Sequence, residues 1–182
     1  MGKDQNKKRT ARDEAMYFLE HRARTAEEVR GHLRQKEYDE EEIGDCMSFL
    51  EDCNFVDDSR YARSYVEFAL EKGRGPQRIR MELSRRGVSG ELIEIALEEL
   101  CDSRTQFQTA LRQAEKALGL AASHSWDGGC GPAEIGGGDG EDSGDGGRVL
   151  TEKELARAAR RLAGLGYSSS VVYDVLRRLK RC

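Results

Sequence analysis

Two prolines and one tryptophan are all that 182 residues contain of either, and scarce proline removes most of the points at which a helix would be forced to stop. No apolar run approaches the roughly 18 residues needed to cross a bilayer, so no membrane contact is expected. The basic start, residues 1–12, is followed by no apolar core, so no secretory signal is expected and the expected compartment is the cytoplasm. Five cysteines (Cys46, Cys53, Cys101, Cys130, Cys182) form no Cys-x-x-Cys pair, and His21, His32 and His124 are scattered. These spacings match no tetrahedral ligand set, so reduced thiols are expected, with no metal and no cofactor. Cys46 and Cys53, seven residues apart, should share a helix face. No Ser-His-Asp, Cys-His or nucleotide-binding signature is visible, and the chain is expected not to be an enzyme.

Charge is plentiful but segregated. The formal net charge is -4 and 35% of residues are charged, which argues against a generic polyelectrolyte binder of DNA. Yet residues 37–58 hold ten acids and no Lys or Arg, whereas residues 72–86 hold six bases against Glu82 alone. Bases also dominate the end of the chain, at Arg157, Arg160, Arg161, Arg177, Arg178, Lys180 and Arg181. Alternating blocks of this kind suit a protein that meets an anionic or mixed-charge assembly on selected faces.

Apolar residues recur at helical spacing, as at Ala15, Phe18 and Leu19 and at Tyr61, Tyr65, Phe68 and Ala69, while strands have almost no support. Thr25-Ala26-Glu27-Glu28 and Asp39-Glu40-Glu41-Glu42 read as capping boxes, and Gly75-Pro76 as a helix start with proline where no amide partner is needed. Laid on itself, the chain repeats. Val29, Leu33, Tyr38, Ile43, Met47 and Leu50 correspond, 50 residues on, to Ile79, Leu83, Val88, Ile93, Leu97 and Leu100, and a further 79 on to Ala158, Leu162, Tyr167, Val172, Leu176 and Leu179.

The expected fold is therefore all-α: three tandem three-helix repeats stacked into an elongated curved rod, because one such unit buries little apolar surface alone. Helices are expected near residues 11–22, 25–36, 40–53, 58–72, 76–86, 90–101, 103–119, 151–164 and 169–180. The expected organisation is a basic flexible tail at 1–10, repeats at 11–54 and 55–101, and a third repeat at 102–182. An insertion at 120–148 interrupts that third repeat. It holds Gly136-Gly137-Gly138-Asp139-Gly140, six acids and few apolar partners, and reads as a disordered acidic loop.

Phe55-Val56-Asp57-Asp58-Ser59-Arg60-Tyr61-Ala62, then Lys72-Gly73-Arg74-Gly75-Pro76-Gln77-Arg78-Ile79, then Glu82-Leu83-Ser84-Arg85-Arg86-Gly87-Val88 occur in one order. In these segments the chain resembles the RecX family, with Asp57, Asp58, Tyr61, Ala62, Gly73, Gly75, Pro76, Leu83 and Gly87 as the motif. The similarity covers about residues 11–118 and 151–180 and leaves out the insertion and the tail. It implies a monomeric regulator that binds the recombinase RecA and the RecA filament on single-stranded DNA. Such a regulator modulates, chiefly by inhibition, the recombinase, ATPase and co-protease activities, and so acts in DNA recombination and repair. Weak direct DNA binding is the companion expectation, and a helical nucleic-acid-binding protein is the alternative reading.

Asp57 and Asp58 are read as helix capping, not as an acid–base dyad. Candidate contacts to RecA or DNA are Lys72, Arg74, Arg78, Arg80, Arg85 and Arg86, the densest basic cluster, and Arg157, Arg160 and Arg161, three or four apart on one helix. Against this stands a solvated face whose arginines pair with the acidic segment of the first repeat. Tyr61 and Tyr65 are expected to pack in the core rather than stack on bases.

Overall fold

A computed structural model describes residues 9–120 and 150–180. All but Arg9 and Thr10 of the expected tail, and all but Leu120 of the expected insertion, lie outside the described residues, together with His124, Cys130 and Cys182. The described residues form nine helices and no strand: α1 (Ala11–Glu20), α2 (Ala26–Gln35), α3 (Glu40–Asp52), α4 (Asp58–Glu71), α5 (Pro76–Arg85), α6 (Gly90–Leu100), α7 (Ser103–Leu118), α8 (Glu152–Leu165) and α9 (Ser169–Leu179). Every end falls within two residues of the expected range. The caps explain why. Side chains of Thr10, Thr25, Asp39, Asp57, Ser89, Thr151 and Ser168 each accept an amide of the first turn.

Asp39 closes its capping box through Glu42, as expected, and so does Thr151 through Glu154, which the sequence reading passed over. Thr25 does not. It caps Glu28 N–H, but the Glu28 carboxylate turns instead towards Arg22 and Arg86, because two cations offer more than one neutral amide.

The chain divides into two compact units, Met1–Asp102 and Ser103–Cys182. The first holds two cores. Val29, Leu33, Tyr38, Ile43, Met47 and Leu50 are buried with Ala11 and Ala15 between α1, α2 and α3. Ile79, Leu83, Val88, Ile93 and Leu97 are buried with Ala62, Val66 and Ala69 between α4, α5 and α6, with Leu100 packed against them. In the second unit Ala158, Leu162, Tyr167 and Leu179 are buried with Ala110, Ala114 and Leu118, and Val172 and Leu176 pack alongside. Each position of the sequence repeat thus reaches a core, where one fully buried Leu or Ile stabilises the fold by about 1.5–3 kcal/mol.

The repeat extends to the backbone. Glu37, Gly87 and Gly166, equivalent in the three repeats, all adopt positive φ (60°, 81° and 85°). The next residue's amide then bonds back to the preceding helix in each case: Tyr38 to Leu33 O, Val88 to Leu83 O and Tyr167 to Leu162 O, at 3.2–3.3 Å. This is the Schellman ending, with an apolar residue folded over its own helix. Glu37 carries the conformation at a cost that glycine would not. Glu37→Gly is expected to raise stability by about 0.5–1 kcal/mol in urea unfolding, and no change or a loss would show that the left-handed cost is offset by contacts of the side chain.

Candidate interaction site

Glu82, the lone acid of the basic cluster, collects its neighbours. Arg74 Nη1 donates to Glu82 Oε2 at 2.7 Å and to the Tyr65 hydroxyl at 3.0 Å, while that hydroxyl donates to the same carboxylate oxygen at 2.6 Å. Arg78 Nε reaches Glu82 Oε1 at 2.9 Å. Arg80 holds both oxygens of Glu94 on α6, at 2.6 and 2.8 Å. Arg74, Arg78 and Arg80 are therefore engaged within their own repeat. Their partner acids lie on α5 and α6, not in the acidic segment 37–58 that the sequence reading weighed as the alternative. Helical spacing places Glu82 one turn from Arg78 on α5, but it cannot show that Arg74, ahead of that helix, reaches the same carboxylate or that Glu94 faces Arg80 from α6.

Burial pushes the Glu82 carboxyl up, but the Tyr65 and Arg78 hydrogen bonds and the Arg74 charge outweigh it and hold the group below its ordinary 4.5. The Glu14 carboxyl, buried on α1, is likewise held low, chiefly by a 2.9 Å hydrogen bond with His32 and then by Lys36, against burial. A depressed carboxyl contributes stability that is present above its unfolded value and lost as pH falls through the folded one. The urea midpoint is thus expected to fall as pH drops below about 4.5, and Glu82→Gln to flatten that fall. An equal slope in the variant would remove Glu82 from the account.

Arg86 serves a different purpose. Its Nη1 donates to the Tyr61 hydroxyl at 2.7 Å and reaches Glu28 Oε1 at 3.4 Å, its guanidinium lies 5.1 Å from the Tyr65 ring centre, and its carbonyl accepts the Thr25 hydroxyl at 2.5 Å. Asp58 Oδ1 accepts the Ala26 N–H at 2.8 Å while Asp57 caps Arg60, so the aspartate pair serves two different helices. Thr25 is fully buried in this seam. Gly87 closes it, for a Cβ there would stand 2.3 Å from Glu27 Cβ. Tyr61 and Tyr65 pack against the core of the second repeat, as expected, but stay half-buried, with their hydroxyls in polar contacts to Arg86 and to Glu82 and Arg74.

The remaining motif residues are structural. Ala62 and Leu83 are buried, Pro76 opens α5, and Gly73 needs its positive φ of 72°. Gly75 has an ordinary extended backbone as the N-cap of α5, the helix start expected of Gly75-Pro76. Cys46 and Cys53 do not share an environment: Cys46 is buried, which pushes its thiol up, while Cys53 sits exposed at the C-cap of α3. Among the described residues no group of three His, Cys, Asp or Glu could hold a metal ion, and no helix is long and apolar enough to cross a membrane.

Of the nine candidate contact residues, Lys72 places its ammonium 5.4 Å from the Phe68 ring centre. Arg85, Arg157, Arg160 and Arg161 are exposed and make no ion pair among the described residues. Cationic surface is also unevenly shared. Residues 9–102 carry fifteen Lys and Arg against twenty-three Asp and Glu, whereas the described residues of the second unit carry ten against four. The free positive field lies on α8 and α9 rather than on the cluster that looked densest in sequence.

Comparison with known proteins fits these motifs. The family profile described as RecX, first three-helix domain, matches residues 11–50, and that for RecX, second three-helix domain, matches residues 57–97. The chain belongs to the RecX family. Regulatory protein RecX of Clostridium botulinum (strain Eklund 17B / Type B) is 36% identical over 107 residues, covering 59% of this chain and 50% of that protein. Regulatory protein RecX of Clostridium acetobutylicum is 32% identical over 103 residues, covering 57% and 48%. The aligned stretch spans about half the length of these curated RecX relatives. The crystal structure of RecX from Lactobacillus salivarius shares the fold at a TM-score of 0.72 and 21% identity, over 94% of this chain and 96% of that one. Another RecX crystal structure shares it at 0.69 and 20% identity, over 94% and 71%.

Proposed function

We propose that this chain binds RecA and the RecA filament on single-stranded DNA, and restrains recombinase, ATPase and co-protease activity by occupying the filament, not by turnover. RecX membership, carried by the two matched three-helix domains, is the observation on which this rests. The chain acts as a cytoplasmic monomer, and exposed cations that are not spent internally meet the filament. Arg85, Arg157, Arg160 and Arg161 are those cations, whereas Arg74, Arg78, Arg80 and Arg86 are held by acids and tyrosines of the fold.

The experiment is RecA ATP hydrolysis on single-stranded DNA, titrated with this protein. Inhibition is expected at substoichiometric to equimolar levels. Changing Arg85, Arg157, Arg160 and Arg161 together to alanine is expected to raise the amount needed roughly tenfold, the effect of losing about 1.4 kcal/mol of contact free energy. Absence of any effect of the wild-type chain on RecA, with the protein folded, would refute the proposal.

A further inference from the structure

Between α8 and α9 lies a hollow of about 330 Å³, large enough for one aromatic ring system. Leu155, Ala156 and Leu176 give it an apolar floor, and Tyr173 stands on its α9 side. Tyr173 is 66% exposed, the most exposed large hydrophobic residue among those described. An aromatic ring left in water beside an apolar floor is a surface that lacks its partner.

The chain carries a partner beside this hollow. Residues 121–149, outside the described residues, begin after Leu120 and end before Leu150, and both leucines pack against the core to which Leu155 and Leu176 belong. Trp126 is the one tryptophan of the chain and follows Leu120 by six residues, a tether that spans at most about 20 Å when extended. On so short a tether a side chain meets a neighbouring hollow at an effective concentration of about millimolar. A shallow site then takes it ahead of a partner free in solution.

Charge points the same way. The described residues of this unit carry ten bases against four acids, whereas residues 121–149 carry six acids against Arg148 alone. The segment therefore offsets most of the cation excess of its own unit. Arg177 and Lys180 rim the hollow on α9, while Lys153 and Arg160, three before and four after Ala156, share its face of α8. All four are exposed and make no ion pair among the described residues. Glu152, in the first turn of α8, is the one acid of the lining. It suits the same occupant, because an indole has a single N–H donor and no acceptor, and this carboxylate accepts.

We infer that the α8–α9 hollow is the docking site of the chain's own segment 121–149, with the Trp126 ring seated against Tyr173 and the segment's acids on the four surrounding cations. Of the cations proposed above to meet the filament, only Arg160 is among these four. The docking is a property of the chain alone and stands or falls without RecA.

The lone tryptophan supplies the probe. In the full chain without RecA, Trp126 emission is expected to lie to the blue of that of the urea-unfolded chain, and acrylamide to quench it more weakly. Tyr173→Ala removes the ring, and Ala156→Glu fills the hollow with a carboxylate from an exposed position. Each is expected to move the emission to the red and to raise quenching towards the unfolded value. Arg177→Glu with Lys180→Glu should do the same by repelling the segment's acids. Circular dichroism melts check that these surface variants fold. Wild-type emission and quenching equal to those of the unfolded chain would overturn the inference. So would a blue-shifted emission that neither Tyr173→Ala nor Ala156→Glu changes, since the indole would then be seated elsewhere. A blue shift that vanishes on dilution would overturn it as well, by making the occupant the segment of a second copy.

Discussion

Gly87→Ala is expected to destabilise the first unit by about 2–4 kcal/mol. Two costs add. At φ +81° an alanine leaves the backbone region it prefers, a penalty of about 1–2 kcal/mol. Its Cβ would also stand 2.3 Å from Glu27 Cβ and 2.7 Å from Glu27 Cγ, so α2 must move away from the end of α5, at an overpacking cost of about 1–3 kcal/mol. Glu27 Cβ is not the far end of a flexible chain and cannot swing clear. Movement there pulls on the Thr25 hydroxyl bond to the Arg86 carbonyl and on the Asp58 cap of Ala26, which lie in the same seam. Urea unfolding followed by circular dichroism at 222 nm measures it, and a loss under about 0.5 kcal/mol, the range of neutral surface changes, would refute the account.

Comparison with Glu37 sharpens the point. Glu37 and Gly87 occupy equivalent turns with the same left-handed backbone, yet one carries a long side chain and the other can carry none. Backbone geometry therefore does not by itself require glycine here; the approach of α2 does. That approach was invisible in the sequence because it joins residues sixty apart, and no local pattern encodes which turn meets which helix.

The helices themselves were legible for the opposite reason. Caps act over three residues, and the 50-residue offset placed Leu33 with Leu83 and Ile43 with Ile93 before any coordinates, because a core position is defined by its periodicity. Asp57 as a cap was legible on the same grounds. The candidate surface was less so. Six cations in fifteen residues looked like one patch, but Glu82 lies within bonding reach of Arg74 and Arg78, and Glu94 draws off Arg80. A run of charge in sequence measures charge, whereas a binding surface needs charge that nothing else has claimed. The α8–α9 bases, thinner in sequence, are the ones left exposed.

Adjacent Arg85 and Arg86 bring both arguments to a single test. In sequence they are interchangeable. Arg85 is exposed without an ion pair among the described residues, so Arg85→Ala is expected to change stability by no more than about 0.5 kcal/mol. Arg86→Ala removes the donor held by the Tyr61 hydroxyl and Glu28, and the cation lying against the Tyr65 ring. Glu28 is then left with Arg22 at 3.5 Å and Arg24 at 4.0 Å, and one of its oxygens is already buried without a hydrogen bond. Fully buried pairs cost about 3–5 kcal/mol to break; with about a third of the Arg86 side chain in contact with water, screening reduces the expected loss to about 2–3 kcal/mol. Arg86→Met, which keeps an unbranched apolar chain at this half-buried position but not the charge, should recover part of it. RecA assays should divide the pair the other way: Arg85→Ala weakens inhibition while the fold melts as wild type, and Arg86→Ala inhibits normally at temperatures where it remains folded. Equal destabilisation by the two alanines would mean that the seam does not depend on the Arg86 guanidinium, and that the buried Thr25 and the close approach of Glu27 to Gly87 hold the first two repeats together without it.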